Sequence, residues 1–273
     1  MGLRVNTNTF SLTAQRNLAN ASEKLGGSFA KLSSGLRITT AADDAAGLGV
    51  SERMRAQIRS LGAAQRNAQD GISLVQTAEG ALGEVSANLS RMRELAVQAS
   101  NGTLNSDDRA ALDDEFSELV AEIDRIADNT DFNGIQLLDG SATSVDIQVG
   151  VDDGETITID LTDVTDTTGL AINGADVLSA GSASAALSTI DTAINSVNTA
   201  RGEFGASQNR LQSAVRSIAN AKENLSAAES RIRDVDVAEE TANLTRNTIL
   251  QQASVSILAQ ANVQPQLALS LIG

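Results

Sequence analysis

The sequence contains no cysteine, histidine, tryptophan or tyrosine, and Pro265 is the single proline among its 273 residues. Without cysteine there are no disulfides, thiolate nucleophiles or thiolate metal sites, and the redox compartment is left open. Without histidine as well, zinc chemistry and the histidine-dependent triads are excluded, so any catalysis would have to run on carboxylates, lysine or hydroxyls. No catalytic residue, metal site or cofactor is therefore expected, and an enzyme is the disfavoured class. Aromatics are limited to five Phe, so Ala, Leu, Ile and Val make up most of a 41% hydrophobic composition. That is enough to bury real cores. Such residues suit helix-on-helix packing better than aromatic-lined ligand pockets. With no proline before position 265, no long helix is obliged to kink or stop. The opening residues lack a basic stretch followed by an apolar core, and no apolar run approaches membrane-spanning length. Neither a Sec-type signal nor a membrane anchor is expected.

Charge is distributed unevenly. The net charge is −15, yet residues 101–189 alone carry nineteen acidic against two basic side chains, while both flanking regions are close to neutral. A block of this kind forms a solvated, self-repelling surface and disfavours nucleic acid or anionic membrane as partners. Its plainest role is to keep the exposed part of the molecule soluble.

Two seven-residue rhythms dominate the rest. Met54, Leu61, Ala68, Val75, Leu82, Leu89 and Ala96 hold one register, and Ala64, Gly71, Ala78, Val85, Met92 and Ala99 hold its companion three residues on. This predicts a heptad-seamed helix from Thr40 to about Ser100, roughly 90 Å long at 1.5 Å per residue. Thr40 with Asp43 supplies a capping-box-like start and Asn101-Gly102 a stop. The second rhythm, Ile190, Val197, Phe204, Leu211, Ile218, Leu225 and Ile232, is accompanied by small residues from Ala193 to Ala228. Seams of matching length and texture imply that the two halves pack side by side, so the chain goes out and comes back. Between them, Asn105 or Ser106 caps a shorter helix carrying Leu112, Phe116, Leu119, Ile123 and Ile126.

After the turn signal Asp131-Phe132-Asn133-Gly134 the rhythm becomes two. Val145, Ile147 and Val149, then Ile157, Ile159 and Leu161, alternate with polar residues around Asp152-Asp153-Gly154, which reads as a β-hairpin over 145–161. Residues 162–187 read as loop with short irregular structure. The hairpin and the acidic block are expected together at the far end of the helical rod. The expected fold is thus mainly α: a long antiparallel coiled-coil-like rod with one small β-hairpin region.

Both ends of the chain are apolar-striped. Val5, Phe10, Leu12, Leu18 and Leu25 at one end, and Leu250, Ile257, Leu258, Leu267, Leu269 and Leu271 at the other, are the candidate polymerisation residues. A chain end frays unless something holds it. Stripes carried to the last residue imply burial against each other and against copies of the same protein.

Specific strings at both ends resemble bacterial flagellin. On the N-terminal side these are Val5 to Asn8, Leu32 to Ile38 (LSSGLRI), Asp43 to Gly47 (DDAAG), Asn67 to Ile72 (NAQDGI) and Arg93 to Gln98 (RELAVQ). On the C-terminal side they are Ser230 to Ile232, Ile249 to Ala253 (ILQQA) and Leu258 to Asn262 (LAQAN), and the hairpin string Gly154 to Leu161 is similar too. The resemblance implies an inner-tube helical domain made of residues 1–43 and 235–273. It also implies a rod domain of residues 44–179 with the returning helix 180–234, and here the variable outer domains of longer members are missing. It implies a secreted subunit of the bacterial flagellum, exported unfolded through the flagellar channel with a dedicated export chaperone on its C-terminal segment. Polymerisation would take place at the tip under a cap, above hook-filament junction proteins. An innate toll-like receptor recognises many members through a rod-domain patch. Arg91, Leu95, Gln98 and Glu115 match its residue types, whereas Ser90 stands where receptor-active members commonly have Gln. The alternative readings are a hook-filament junction protein, a signalling coiled coil and, on composition alone, a hydrolase with paired carboxylates.

Overall fold

The computed structural model describes residues 7–161 and 166–270, with side chains described through Gln264. Among the described residues the chain forms α1 (Thr9–Ser34), α2 (Ala45–Ala99), α3 (Ser106–Asn129), β1 (Asp131–Phe132), β2 (Ile135–Gln136), β3 (Ser144–Gln148), β4 (Thr156–Asp160), α4 (Ala180–Arg233) and α5 (Val237–Ser270). The mainly α expectation holds. Two compact units are distinguishable: one combines residues up to Ala56 with those from Asn224 on, and the other spans Gln57–Glu223.

Each helix start has a chemical cause. Asn8 accepts the Ser11 amide at 3.0 Å ahead of α1, and Gly35, at φ +72°, closes that helix by donating to Lys31 O at 2.9 Å. Asn105 and Asp108 form a reciprocal capping box on α3. Ser179 and Ser182 exchange hydrogen bonds at the start of α4, and Asp236 accepts from Ala238 and Glu239 at the start of α5. The expected start of α2 at Thr40 is corrected: the helix begins at Ala45 because Asp44, not Thr40, caps it, accepting from Gly47 N at 2.8 Å. A β-carbon at Gly47 would collide with that carboxylate and stand 2.8 Å from the buried Ile38, which explains a glycine three residues into the helix.

Within the larger unit α2 and α4 run antiparallel. Arg93 meets Asp191 at 2.7 Å, Glu79 meets Arg201 at 3.9 Å, and Gly71 lies beside Leu211, so partners descend along α4 as they ascend along α2. Both predicted rhythms face inward, with Val75, Leu82, Leu89 and Met92 buried against Ile190, Val197, Phe204 and Leu211 in one core. α3 joins through Phe116 and Ile123, and Arg109 ties it to the end of α2 by donating to Ala99 O and Asn101 O, each at 2.9 Å.

The hairpin pairs as expected, Val145 opposite Ile159 and Ile147 opposite Ile157, with Ile157, Ile159 and Leu161 buried. Its position differs from expectation. Asn67 donates to Gln148 O at 3.2 Å, and Ile147 rests against Gly71, so the tip folds back along α2 instead of standing at the end near Ala99. A second, smaller hairpin, β1–β2, forms at the Asn133-Gly134 turn, where φ is +52° and +80°.

Residues 162–165 lie outside the described residues, and residues 166–187 are more ordered than loop with short irregular structure. α4 begins at Ala180, burying Ala183 and Ala186, and Leu170, Ile172 and Val177 are core residues. Asp124 accepts both the amide and the hydroxyl of Thr167 at 2.9 Å, and Asp113 accepts Val177 N at 2.8 Å. Part of the acidic block therefore anchors backbone amides of loops and helix starts; Asp131, Asp139 and Glu155 do the same for their own turns.

Candidate polymerisation interface

In the smaller unit α1 and α5 pair antiparallel along a polar, small-residue seam. Asn8 Nδ2 donates to Ala261 O at 2.7 Å and Ser11 Oγ to Asn262 Oδ1 at 2.8 Å. Further along, Gln251 Nε2 reaches Ser22 Oγ at 3.3 Å and Asn247 Nδ2 reaches Ser28 Oγ at 3.4 Å. The residues α1 buries are Ser11, Ala14, Ala21 and Ser28, the last three spaced by seven. Small side chains let the two backbones approach closely and leave the large ones outside.

The consequence is visible in exposure. Phe10, Leu12 and Phe29 on α1, with Ile249, Leu250, Val255, Ile257 and Val263 on α5, each remain 48–60% exposed. From Asn247 onward α5 carries no charged residue. Its exposed apolar groups are not confined to one stripe, the signature of a helix buried on several sides in its working state. Of the polymerisation residues named from sequence, Phe10, Leu12, Leu250 and Ile257 are exposed, whereas Leu18, Leu25 and Leu258 are half-buried. Val5 and Leu271 lie outside the described residues, as do the side chains of Leu267 and Leu269.

Next to this pair, the turn before α2 is held by Asp43, whose Oδ2 accepts from the amides of Thr39 and Thr40 and from both hydroxyls. The Thr40 amide, followed by the Thr39 hydroxyl and amide, holds this carboxyl down to about 2. Arg233 and Arg55 both reach Glu52 on α2, at 2.5 and 3.2 Å, and the hydrogen bond from Arg233 lowers that carboxyl as well. The members of this junction are distant in the chain and leave no local sequence signal, whereas the small-residue heptad Ala14, Ala21, Ser28 is readable in the sequence.

The residues expected to form a receptor patch are brought together in part. Arg91 on α2 bridges to Glu115 on α3 at 2.8 Å and to Glu94 at 3.0 Å, and Gln98 is exposed on the same helix. Leu95 is fully buried in the core beneath that face. A shallow hollow of about 360 Å³ lined by Ser90, Arg93, Glu94, Val97 and Gln98 lies beside the patch. Among the described residues no cluster of three or more acidic groups is placed to hold a metal ion, and no helix is long and apolar enough to cross a membrane.

A mainly helical subunit whose paired ends keep their largest apolar groups in solvent belongs to the class of self-associating structural proteins. The sequence matches the bacterial flagellin N-terminal helical region over residues 5–143 and the bacterial flagellin C-terminal helical region over residues 187–272, and the chain belongs to the bacterial flagellin family. It is 52% identical over 270 residues to a flagellin of Halalkalibacterium halodurans, across 98% of this chain and 99% of the other. Against a flagellin of Bacillus subtilis it is 43% identical over 304 residues, across 99% and 100%. The crystal structure of Bacillus cereus flagellin superposes with a TM-score of 0.51 at 39% identity, covering 56% of this chain and 88% of that one. A putative flagellar hook-associated protein from Vibrio parahaemolyticus shares the fold, with a TM-score of 0.59 at 17% identity across 70% of this chain. The protein is a self-associating structural subunit of the flagellar filament, an extracellular assembly, and the hook-filament junction alternative is not favoured.

Proposed function

We propose that α1 and α5 together are the surface through which copies polymerise, for motility, and that no catalytic chemistry is involved. The carrying observation is the set of nine large apolar side chains, Val237 with the eight above, left 48–60% exposed on a helix pair whose buried α1 residues are serine and alanine. Covering the exposed half of such a side chain gains roughly 1 kcal/mol. Several per subunit, repeated on more than one neighbour, offset the cost of association. In this reading residues 1–43 and 235–273 form the inner tube, and residues 44–179 and 180–234 form the surrounding rod.

The uncharged, apolar length of α5 also supports the remaining partners. Outside the filament it needs cover, which an export chaperone supplies before the chain passes unfolded through the flagellar channel, is secreted and adds at the tip under a cap. Hook-filament junction proteins adjoin the base of the same assembly. An innate toll-like receptor would meet the α2–α3 face at Arg91, Gln98 and Glu115.

Ile257→Asp and Leu250→Asp test the central claim. Both positions are exposed in the monomer, so the variants are expected to keep wild-type helicity and melting while forming no filaments by electron microscopy. Filaments of normal length from both would overturn it. Leu258→Asp should also abolish filaments, but Leu258 is half-buried and its loss would mix pairing with assembly.

A further inference from the structure

Small side chains along the α1–α5 seam offer little interdigitation to resist sliding by one turn. The fully buried leucines and isoleucines that lock α2 against α4 have no counterpart in it: the residues α1 buries are small, and Leu18, Leu25 and Leu258 are only half-buried. Register has to be imposed from elsewhere, and one structure adjoins both helices. Where α1 ends, residues 35–37 run antiparallel to residues 233–235, which join α4 to α5, with Leu36 bridged to Asp234. Arg37 N donates to Arg233 O at 2.7 Å and Val235 N to Gly35 O at 3.0 Å. The Arg37 guanidinium donates twice more to Ile232 O, at 3.2 Å from Nε and 2.6 Å from Nη2. That carbonyl lies in the last turn of α4, where a cation also meets the negative end of the helix. The Arg233 side chain, only 12% exposed, crosses to Glu52 on α2.

We propose that Arg37 and Arg233 are positioning residues for filament assembly: by lashing residues 35–37 to residues 232–235 and to Glu52, they fix the axial register of α5 along α1. With the register goes the composite apolar surface that neighbouring copies bury, so the assembly role rests on the reading of α1 and α5 as the polymerisation surface. A one-turn slip would carry Ile257 about 5.4 Å past its place beside α1.

Because the chain has no cysteine, introduced pairs report register directly. Ser28→Cys with Asn247→Cys samples the native register, in which those side chains meet at 3.4 Å. Ser28→Cys with Gln251→Cys samples a one-turn slip, since Gln251 natively meets Ser22. Mild oxidation of the full-length monomer is expected to close the first pair and leave the second open. The Arg37→Met, Arg233→Met variant keeps the bulk of both stems and loses their donors. It is expected to shift crosslinking toward the second pair and to raise the critical concentration for filament growth about tenfold. Arg37→Lys with Arg233→Lys, retaining charge, is expected to restore most of the native ratio, which a purely space-filling role would not distinguish from methionine. Single Met variants give the same readout should the double variant lose helicity.

An unchanged crosslinking ratio in helical Met variants overturns the register lock, and a slipped register with wild-type critical concentration overturns its role in assembly. Intact filaments from both Ile257→Asp and Leu250→Asp, alongside the expected crosslinking shift, would instead sink the polymerisation surface and leave the lock standing.

Discussion

Between α2 and α4 the seven-residue repeat is filled by Leu61, Val75, Leu82 and Leu89 on one side and Ile190, Val197, Phe204 and Leu211 on the other, all buried. Between α1 and α5 the same repeat is filled by Ala14, Ala21 and Ser28, while Phe10, Leu12, Phe29, Ile249 and Ile257 stay in solvent. One periodicity thus serves two ends. Large residues on the seam finish the larger unit within a single chain, whereas small residues on the seam hold two helices together and reserve the apolar surface for other copies. The difference lies in which side chains take the seam positions.

The largest effect should come from emptying the finished core. Phe116→Ala removes a fully buried ring from α3 and is expected to cost about 3–5 kcal/mol of stability. The loss should show as a lower thermal midpoint, while filaments still form well below that midpoint. If assembly fails where the variant is fully helical, the division of labour between the two pairs is wrong. Next in size, Ala21→Leu places a large residue on the terminal seam, and overpacking is expected to cost about 1–3 kcal/mol. A gain in stability, as from filling a void, would show that the seam is merely underpacked and that its small residues set nothing.

A smaller effect is expected at Gly71, where the larger unit also relies on a missing side chain. A β-carbon there would stand 3.0 Å from Ile147 on the hairpin and 3.3 Å from Leu211 on α4. Alanine gains about 1 kcal/mol in helix propensity. Displacing two packed side chains costs about 2 kcal/mol, so Gly71→Ala should be destabilising by about 1 kcal/mol. Faster amide exchange in β3 and β4, with α3 unaffected, would locate the loss at the hairpin seat; a stabilised protein would show that the seat yields.

The heptads of the larger unit and the alternation of β3 and β4 were legible because large apolar residues at fixed spacing leave few other ways to bury them. The hairpin's seat on α2 was not, since period-two alternation says which face is buried and not what covers it. The first two turns of α4 look like loop because their buried residues, Ala183 and Ala186, are too small to mark a face. Leu95 shares helical spacing with Arg91 and Gln98, yet spacing cannot tell which edge of that face the core takes. At the terminal seam the leucines carry the strongest sequence signal, but it is Ser11, Ala14, Ala21 and Ser28 that α1 buries. The Arg37–Ile232 and Arg233–Glu52 contacts join residues nearly two hundred positions apart and have no local signal.

The smallest effect concerns the turn between α1 and α2, where two adjacent aspartates divide their work. Asp44 caps α2 forward, and Asp43 reaches back to Thr39 and Thr40. Because those donors hold the Asp43 carboxyl at about 2, below its ordinary 3.8, the folded state favours the charged form. The stability this contributes is complete above the unfolded value and is lost as pH falls from about 4 to about 2. Asp43→Asn removes the charge at all pH values. The difference in thermal midpoint between wild type and variant should therefore be constant from neutral pH down to about 4 and narrow steadily toward pH 2. Carbon-detected NMR titration of the Asp43 carboxyl checks the cause: a midpoint near 2 keeps the turn as a preformed hinge point of the terminal unit, independent of neighbouring copies. A midpoint near 3.8 in the monomer would mean that the turn, like the apolar faces of α1 and α5, is completed only in the assembly.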